Sequence, residues 1–174
     1  NIISSLAEFI QLDSGNVEPR KKSFPLQKLL TSLQEQFKEF SSKKSIDFQV
    51  LPSEFSVYSD PNLLYRILQN LVGNAVRYTP AGRILITNRI KNNEIQISVW
   101  DTGIGIQKEF LNDIFEEFKQ YHNPKIVTEE PGLGLGLSIS QRTADMLGHR
   151  ISVKSKFGKG SVFHLYIEIA KNLT

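Results

Sequence analysis

The chain of 174 residues contains no cysteine, which removes disulfides, thiol nucleophiles, thiolate zinc sites and iron–sulfur clusters together. Its three histidines, His122, His149 and His164, are too scattered for a histidine-rich metal site. No apolar run approaches the roughly 18 residues that a membrane-crossing helix needs. Asn1–Leu12 has neither the basic start nor the small-residue cleavage site of a secretory signal. A marked excess of one charge is also missing: 21 Lys and Arg against 18 Asp and Glu leave a net +3. The longest basic run, Arg20-Lys21-Lys22, follows Pro19 in a linker-like stretch. A nucleic-acid face needs a dense basic stripe with interleaved aromatics, so no nucleic-acid partner is expected. Neither the Gly-x-x-x-x-Gly-Lys-Ser/Thr loop nor the His-Arg-Asp and Asp-Phe-Gly motifs occur, which excludes P-loop proteins and ordinary protein kinases. The chain opens on Asn1 rather than Met, and we expect a segment of a longer protein.

What is present is a normal globular composition, 40% hydrophobic and 22% charged, enough for one substantial core. Apolar spacing predicts a helical tail over 1–12, broken by Gly15 and Pro19, and an amphipathic helix over 26–44. That helix is expected to bury Leu26, Leu29, Leu30, Leu33, Phe37 and Phe40. Strands are expected at 46–50 and 55–58. Asp60-Pro61 reads as a helix start, an acceptor at the cap followed by proline where its missing N–H costs nothing. The helix it opens runs to Tyr78, before Pro80. Strands at 83–90 and 94–101 follow, joined at Asn92-Asn93. A short helix is expected over 107–115, an irregular stretch over 119–131, and a helix over 136–147 stopped by Gly148. Two last strands at 151–155 and 161–169 flank a Gly158-Lys159-Gly160 turn. The expected fold is a two-layer α/β sandwich, a mixed sheet with helices on one face.

Five of the 11 glycines fall in two clusters. Asp101-Thr102-Gly103-Ile104-Gly105 closes a strand, and Gly132-Leu133-Gly134-Leu135-Gly136 opens a helix. The second cluster suits an anion, because glycine lets helix-start N–H groups approach it; a tight turn packed on the sheet explains it as well. Strand parity puts Asp101 on the side of Ile95, Ile97 and Val99. A carboxylate there suits a purine exocyclic amine, or it caps the next turn. Asn70 and Asn74 lie four apart on one helix face, with Arg77 and Tyr78 a turn further on. Amide oxygens suit Mg²⁺ when phosphates and waters complete its shell; solvent-facing asparagines are the plainer alternative. Arg77 could pair with a phosphate and Tyr78 could stack on a base.

Taken in order, these segments resemble the ATP-binding domain of two-component sensor histidine kinases, within the GHKL superfamily. The resemblance covers Phe24 to Ile169. Asn70-Leu71-Val72-Gly73-Asn74-Ala75-Val76-Arg77-Tyr78-Thr79 is similar to the asparagine box and Asp101-Thr102-Gly103-Ile104-Gly105-Ile106 to the first glycine box. Ile114-Phe115-Glu116-Glu117-Phe118 is similar to the phenylalanine box, and Gly132-Leu133-Gly134-Leu135-Gly136-Leu137 to the second glycine box. The resemblance implies a Bergerat-type fold with a mostly antiparallel sheet, in which residues 23–174 are the catalytic domain. Residues 1–22 would end the dimerisation-hairpin helix and link it to that domain.

By position, the resemblance implies that Asn74 holds Mg²⁺ with Asn70 assisting, that Arg77 reaches the phosphates of ATP, and that Tyr78 borders the nucleotide. Asp101 would accept the adenine amine, with Gly103, Gly105, Ile106 and Phe118 around it. Gly132, Gly134 and Gly136, with the backbone of Leu133, Leu135 and Leu137, would cradle the phosphates. The family often has Arg where Gln120 stands, so either Lys119 or Gln120 would reach the γ-phosphate. Relatives that hydrolyse ATP carry Glu at the place of Asn70, which cannot take a proton from water; transfer to another acceptor is thus implied. None of the three histidines is followed by an acidic residue, so the phosphoacceptor is expected on an upstream hairpin. Implied partners are that hairpin and a response-regulator receiver domain. The implied setting is the cytoplasmic part of a bacterial sensor kinase that functions as a homodimer, with this fragment monomeric and making no direct membrane contact. The alternative is an inactive kinase-like module that regulates by docking.

Overall fold

The computed structural model describes residues 17–119 and 134–169, together with Ile3, Leu6, Ala7, Ile10 and Ser14. Most of the tail expected over 1–12 lies outside these residues; Ile3, Leu6, Ala7 and Ile10 are helical and exposed. The elements in order are β1 (Lys22–Pro25), α1 (Leu26–Lys43), β2 (Ile46–Val50), β3 (Ser56–Ser59), α2 (Pro61–Tyr78), β4 (Gly82–Lys91) and β5 (Glu94–Asp101), then α3 (Gly136–Leu147), β6 (Arg150–Lys156) and β7 (Gly160–Glu168).

Five strands form one sheet in the order β2-β4-β5-β7-β6. Only the β2–β4 pair is parallel. Asn92 and Asn93 both take positive φ between β4 and β5, the backbone that a two-residue hairpin turn requires and that Asn tolerates. The register sets Val99 opposite Ile86 and Phe163, and Ile97 opposite Leu165. That face joins Leu64, Ile67, Leu68 and Leu71 of α2 and Leu30 and Leu33 of α1 in one core. Each such side chain, fully buried, contributes about 1.5–3 kcal/mol. The sheet's other face carries Trp100, which is exposed, with its ring edge-on to His164.

α2 begins where its cap signal predicts. Asp60 Oδ1 accepts from the Asn62 and Leu63 amides at 2.9 and 3.1 Å, and Oδ2 from the Arg20 amide at 2.8 Å. At the other end, Lys44 Nζ donates to the Val76 carbonyl at 3.1 Å, a cation on orphan helix-end oxygens. α3 stops at Gly148, whose positive φ lets the His149 amide return to the Ala144 carbonyl.

Two expectations need correction. Phe40 is exposed rather than buried: it lies in the last turns of α1, which packs on the edge strand β2, and its ring centroid stands 6.5 Å from that of Phe37. The helix expected over 107–115 is a short 3₁₀ turn, Lys108–Phe110, followed by further turns. Its amides bond three residues back, Asp113 to Phe110 and Glu116 to Asp113, and this winding packs both Ile114 and Phe115 against the core. A strand not anticipated from the sequence, β1, pairs with β3 in a separate two-stranded sheet. Periodicity cannot reveal which strands pair.

Candidate functional site

The C-terminal ends of β5 and α2 meet. Asp101 ends β5, between Ile84 of β4 and Ser161 of β7. Its Oδ1 accepts from the Gly103 amide at 2.8 Å and from the Ser161 amide at 3.3 Å. Among the described residues its Oδ2 accepts nothing, and that atom is not sealed from solvent. Burial pushes the carboxyl pKa up, and the two amide bonds pull partly the other way. Both sequence readings of Asp101 therefore have a structural counterpart: one oxygen caps the turn and the other is available.

The loop after Asp101 has no room for a side chain at either of its glycines. A Cβ on Gly103 would collide with the Tyr78 carbonyl and Asp101 Oδ1, and one on Gly105, where φ is +68°, with the Lys156 backbone. The Ile104 amide donates to the Tyr78 carbonyl at 3.1 Å, and the Ile106 amide to Ser155 Oγ at 2.8 Å. Ser155 and Ser161, which the sequence reading did not single out, thus hold the loop and the carboxylate in place. Strand parity alone could have placed Ser161 on the face of Asp101, but not beside it. Thr79, fully buried next to Gly103, has a hydroxyl with no hydrogen-bond partner among the described residues.

One turn back along α2, Asn70 and Asn74 are half-buried. Asn70 Nδ2 donates to the Gly136 carbonyl at 3.3 Å and to Ser140 Oγ at 3.2 Å, joining α2 to the start of α3. The Asn74 amide and the Arg77 guanidinium have no hydrogen-bond or ion-pair partner among the described residues. The first turn of α3 has no side-chain cap and no acidic residue, which leaves its N–H groups and dipole unopposed among the described residues, beside the half-exposed opening bounded by Asn70, Asn74 and Gly136. Gly134 takes positive φ, and the turn is anchored by Leu135, which is buried, and Leu137, which is partly buried against the core. A Cβ on Gly136 would meet only Asn70 Cγ, at 4.0 Å; its missing side chain leaves space in front of the helix.

The remaining candidates are placed differently. Lys119 Nζ pairs with Glu116 at 2.7 Å and Asp113 at 3.1 Å, and these carboxylates push its pKa up. Phe118 is exposed and takes positive φ, while Tyr78 is partly exposed at the end of α2. Gln120, Gly132 and Leu133 lie outside the described residues, as does nearly all of the irregular stretch expected over 119–131. Among the described residues no cluster of three His, Cys, Asp or Glu could hold a metal, and no helix is long and apolar enough to cross a membrane. Amide oxygens are the donors on offer; with phosphate and water oxygens they suit a hard cation such as Mg²⁺ rather than a thiolate- or imidazole-seeking metal.

Residues 59–171 match the family described as histidine kinase-, DNA gyrase B-, and HSP90-like ATPase. The autoinducer 2 sensor kinase/phosphatase LuxQ of Vibrio vulnificus is 32% identical over 98% of this chain and 21% of its own length. The signal transduction histidine-protein kinase BarA of Escherichia coli is 31% identical over 98% of this chain and 19% of its own. The chain spans about a fifth of the length of these curated relatives. Among solved structures, full-length ShkA in complex with AMPPNP superposes with a TM-score of 0.84 at 27% identity, over 99% of this chain and 36% of that one. A catalytic domain of histidine kinase ThkA gives 0.72 at 30% identity, over 85% of this chain and 97% of that one.

Proposed function

Since the chain belongs to the histidine kinase-, DNA gyrase B-, and HSP90-like ATPase family and has the fold of a histidine kinase catalytic domain, we propose that it binds Mg-ATP and transfers the γ-phosphoryl group to a histidine on a separate hairpin. Residues 23–174 would form that catalytic domain and residues 1–22 the end of the hairpin helix with its linker. The observation that carries the reading is Asp101: one oxygen held by two backbone amides, the other without a partner among the described residues, beside a loop whose two glycines admit no side chain. A carboxylate held this way accepts from the exocyclic amine of adenine and meets the keto oxygen of guanine with repulsion.

The other roles follow from the same opening. The uncapped start of α3 receives phosphate oxygens on its N–H groups, and Arg77 adds a guanidinium with no competing partner among the described residues. Asn74 and Asn70 would hold Mg²⁺ through their amide oxygens; the ion supplies charge neutralisation on the phosphates when bound. Lys119 serves the γ-phosphate only by giving up Glu116 and Asp113, while Gln120 stands next to it in sequence. Neither Asn70 nor any group bonded to it is a base able to activate water, which favours transfer over hydrolysis. His149 and His164 are buried, bonded to Ser59 and to Gln96 and Ser98 respectively, so neither is presented as an acceptor. We assign the acceptor to the parent's own dimerisation hairpin. The onward partner would be the acidic receiver of a response regulator, and the setting the cytoplasmic part of a bacterial homodimeric sensor kinase.

The test is calorimetric titration of the 174-residue chain with a non-hydrolysable ATP analogue, with and without Mg²⁺, followed by incubation with ATP and a purified phosphoacceptor hairpin. Mg²⁺-sensitive binding and acid-labile phosphate on the hairpin are expected. No binding at millimolar analogue overturns the proposal.

A further inference from the structure

Asn70 Nδ2 meets the Gly136 carbonyl at 3.3 Å and Ser140 Oγ at 3.2 Å. A carbonyl oxygen accepts and never donates, so the first contact admits the amide nitrogen and rejects the amide oxygen. Turning the amide over would set two unprotonated oxygens against each other. Ser140 is fully buried, and its hydroxyl oxygen takes an amide N–H of Asn70, which gives that nitrogen two acceptors on α3. The amide oxygen makes no hydrogen bond among the described residues and is not sealed from solvent.

We infer that the Gly136 carbonyl and Ser140 lock the Asn70 side chain in one amide orientation, nitrogen towards α3 and oxygen towards the opening, which makes Ser140 a positioning residue for the cation and phosphate site. This rests on the assignment of Asn70 to that site. The lock does two things. It keeps an oxygen ligand turned outward before any ligand arrives, so no rotamer freedom is lost at the moment of binding. It also selects an amide over a carboxylate at position 70, because an ionised carboxylate has no proton to offer Gly136.

Two measurements on the 174-residue chain test this, one of them independent of nucleotide. In ¹⁵N spectra of the nucleotide-free protein, the Asn70 side-chain amide protons should exchange with water more slowly than those of exposed asparagines. Ser140→Ala should speed that exchange several-fold with Tm little changed, and Ser140→Thr, which keeps the hydroxyl, should restore the protection. In calorimetry with the ATP analogue, Ser140→Ala should reduce the gain in affinity conferred by Mg²⁺ at least five-fold and leave metal-free affinity within two-fold. Free exchange of the Asn70 protons in the unmutated chain overturns the lock, as does a Mg²⁺ gain unchanged by Ser140→Ala. Should the unmutated chain bind no analogue, the proposed function fails while the exchange measurement still decides the lock.

Discussion

Asp101 and Ser161 face each other across β5 and β7, and the Ser161 amide donates to Asp101 Oδ1 at 3.3 Å. With the Gly103 amide at 2.8 Å on the same oxygen, this fixes the carboxylate plane and leaves Oδ2 as an acceptor with no partner among the described residues. The relationship explains how a desolvated carboxylate is kept at the end of an apolar strand. Two backbone dipoles replace part of the water it gave up.

Asp101→Asn retains an oxygen for both amides and removes the charge. Affinity for the ATP analogue should fall about 10- to 100-fold, the worth of one hydrogen bond to a charged group, as read by calorimetry. Because burial raises the folded-state pKa of Asp101, the protonated form is the better tolerated one. Its stability contribution is complete below the ordinary carboxylate range and is lost as pH rises through the raised pKa. Denaturant unfolding should therefore show the Asn variant gaining on the unmutated chain from acid to neutral pH.

Gly103 and Gly73 should respond in opposite directions to alanine. Gly103→Ala drives a methyl into the Tyr78 carbonyl and should cost about 1–3 kcal/mol in unfolding measurements, with nucleotide binding lost. Gly73 lies inside α2 with nothing within 4 Å of a new Cβ. Gly73→Ala should stabilise by about 0.5–1 kcal/mol through backbone entropy.

His149 is buried with Nε2 at 2.7 Å from Ser59 Oγ. Burial, with Lys21 nearby, pushes its pKa down to about 4 from an ordinary value of 6.5. The unfolded chain therefore binds a proton that the folded chain refuses between these values. Stability is complete above pH 6.5 and is lost as pH falls towards 4, by about 3 kcal/mol. His149→Gln should remove that part of the acid slope in urea unfolding at a series of pH values.

Asn74→Ala removes a side chain that makes no hydrogen bond among the described residues, so Tm should stay within a few degrees. The affinity gain that Mg²⁺ confers on the ATP analogue should disappear. A variant that keeps the full gain would place the cation elsewhere.

Most of the element order was legible because its signals are local. Asp60-Pro61 opens α2, Gly148 closes α3, and Asn92-Asn93 turns β4 into β5, each through groups within about four residues of one another. The same holds for the motifs, since Asn70, Asn74 and Arg77 share a face by helical spacing alone. The failures have the complementary cause. Phe40 has helical spacing suited to burial, yet nothing local says that α1 packs on an edge strand. Ile114 and Phe115 suggested a helix because apolar spacing does not distinguish 3₁₀ turns from an α-helix over so short a stretch.

The sequence by itself determined which residue types stand at each element end: an acceptor at Asp101, two amides on α2, glycines before α3. Only the tertiary structure decided what each of them touches. Ser161 reaches Asp101 from 60 residues away, and Asn70 gives its amide to Gly136 from 66 residues away. These contacts depend on sheet register and on how two helices pack, which non-local burial sets and no short-range spacing encodes.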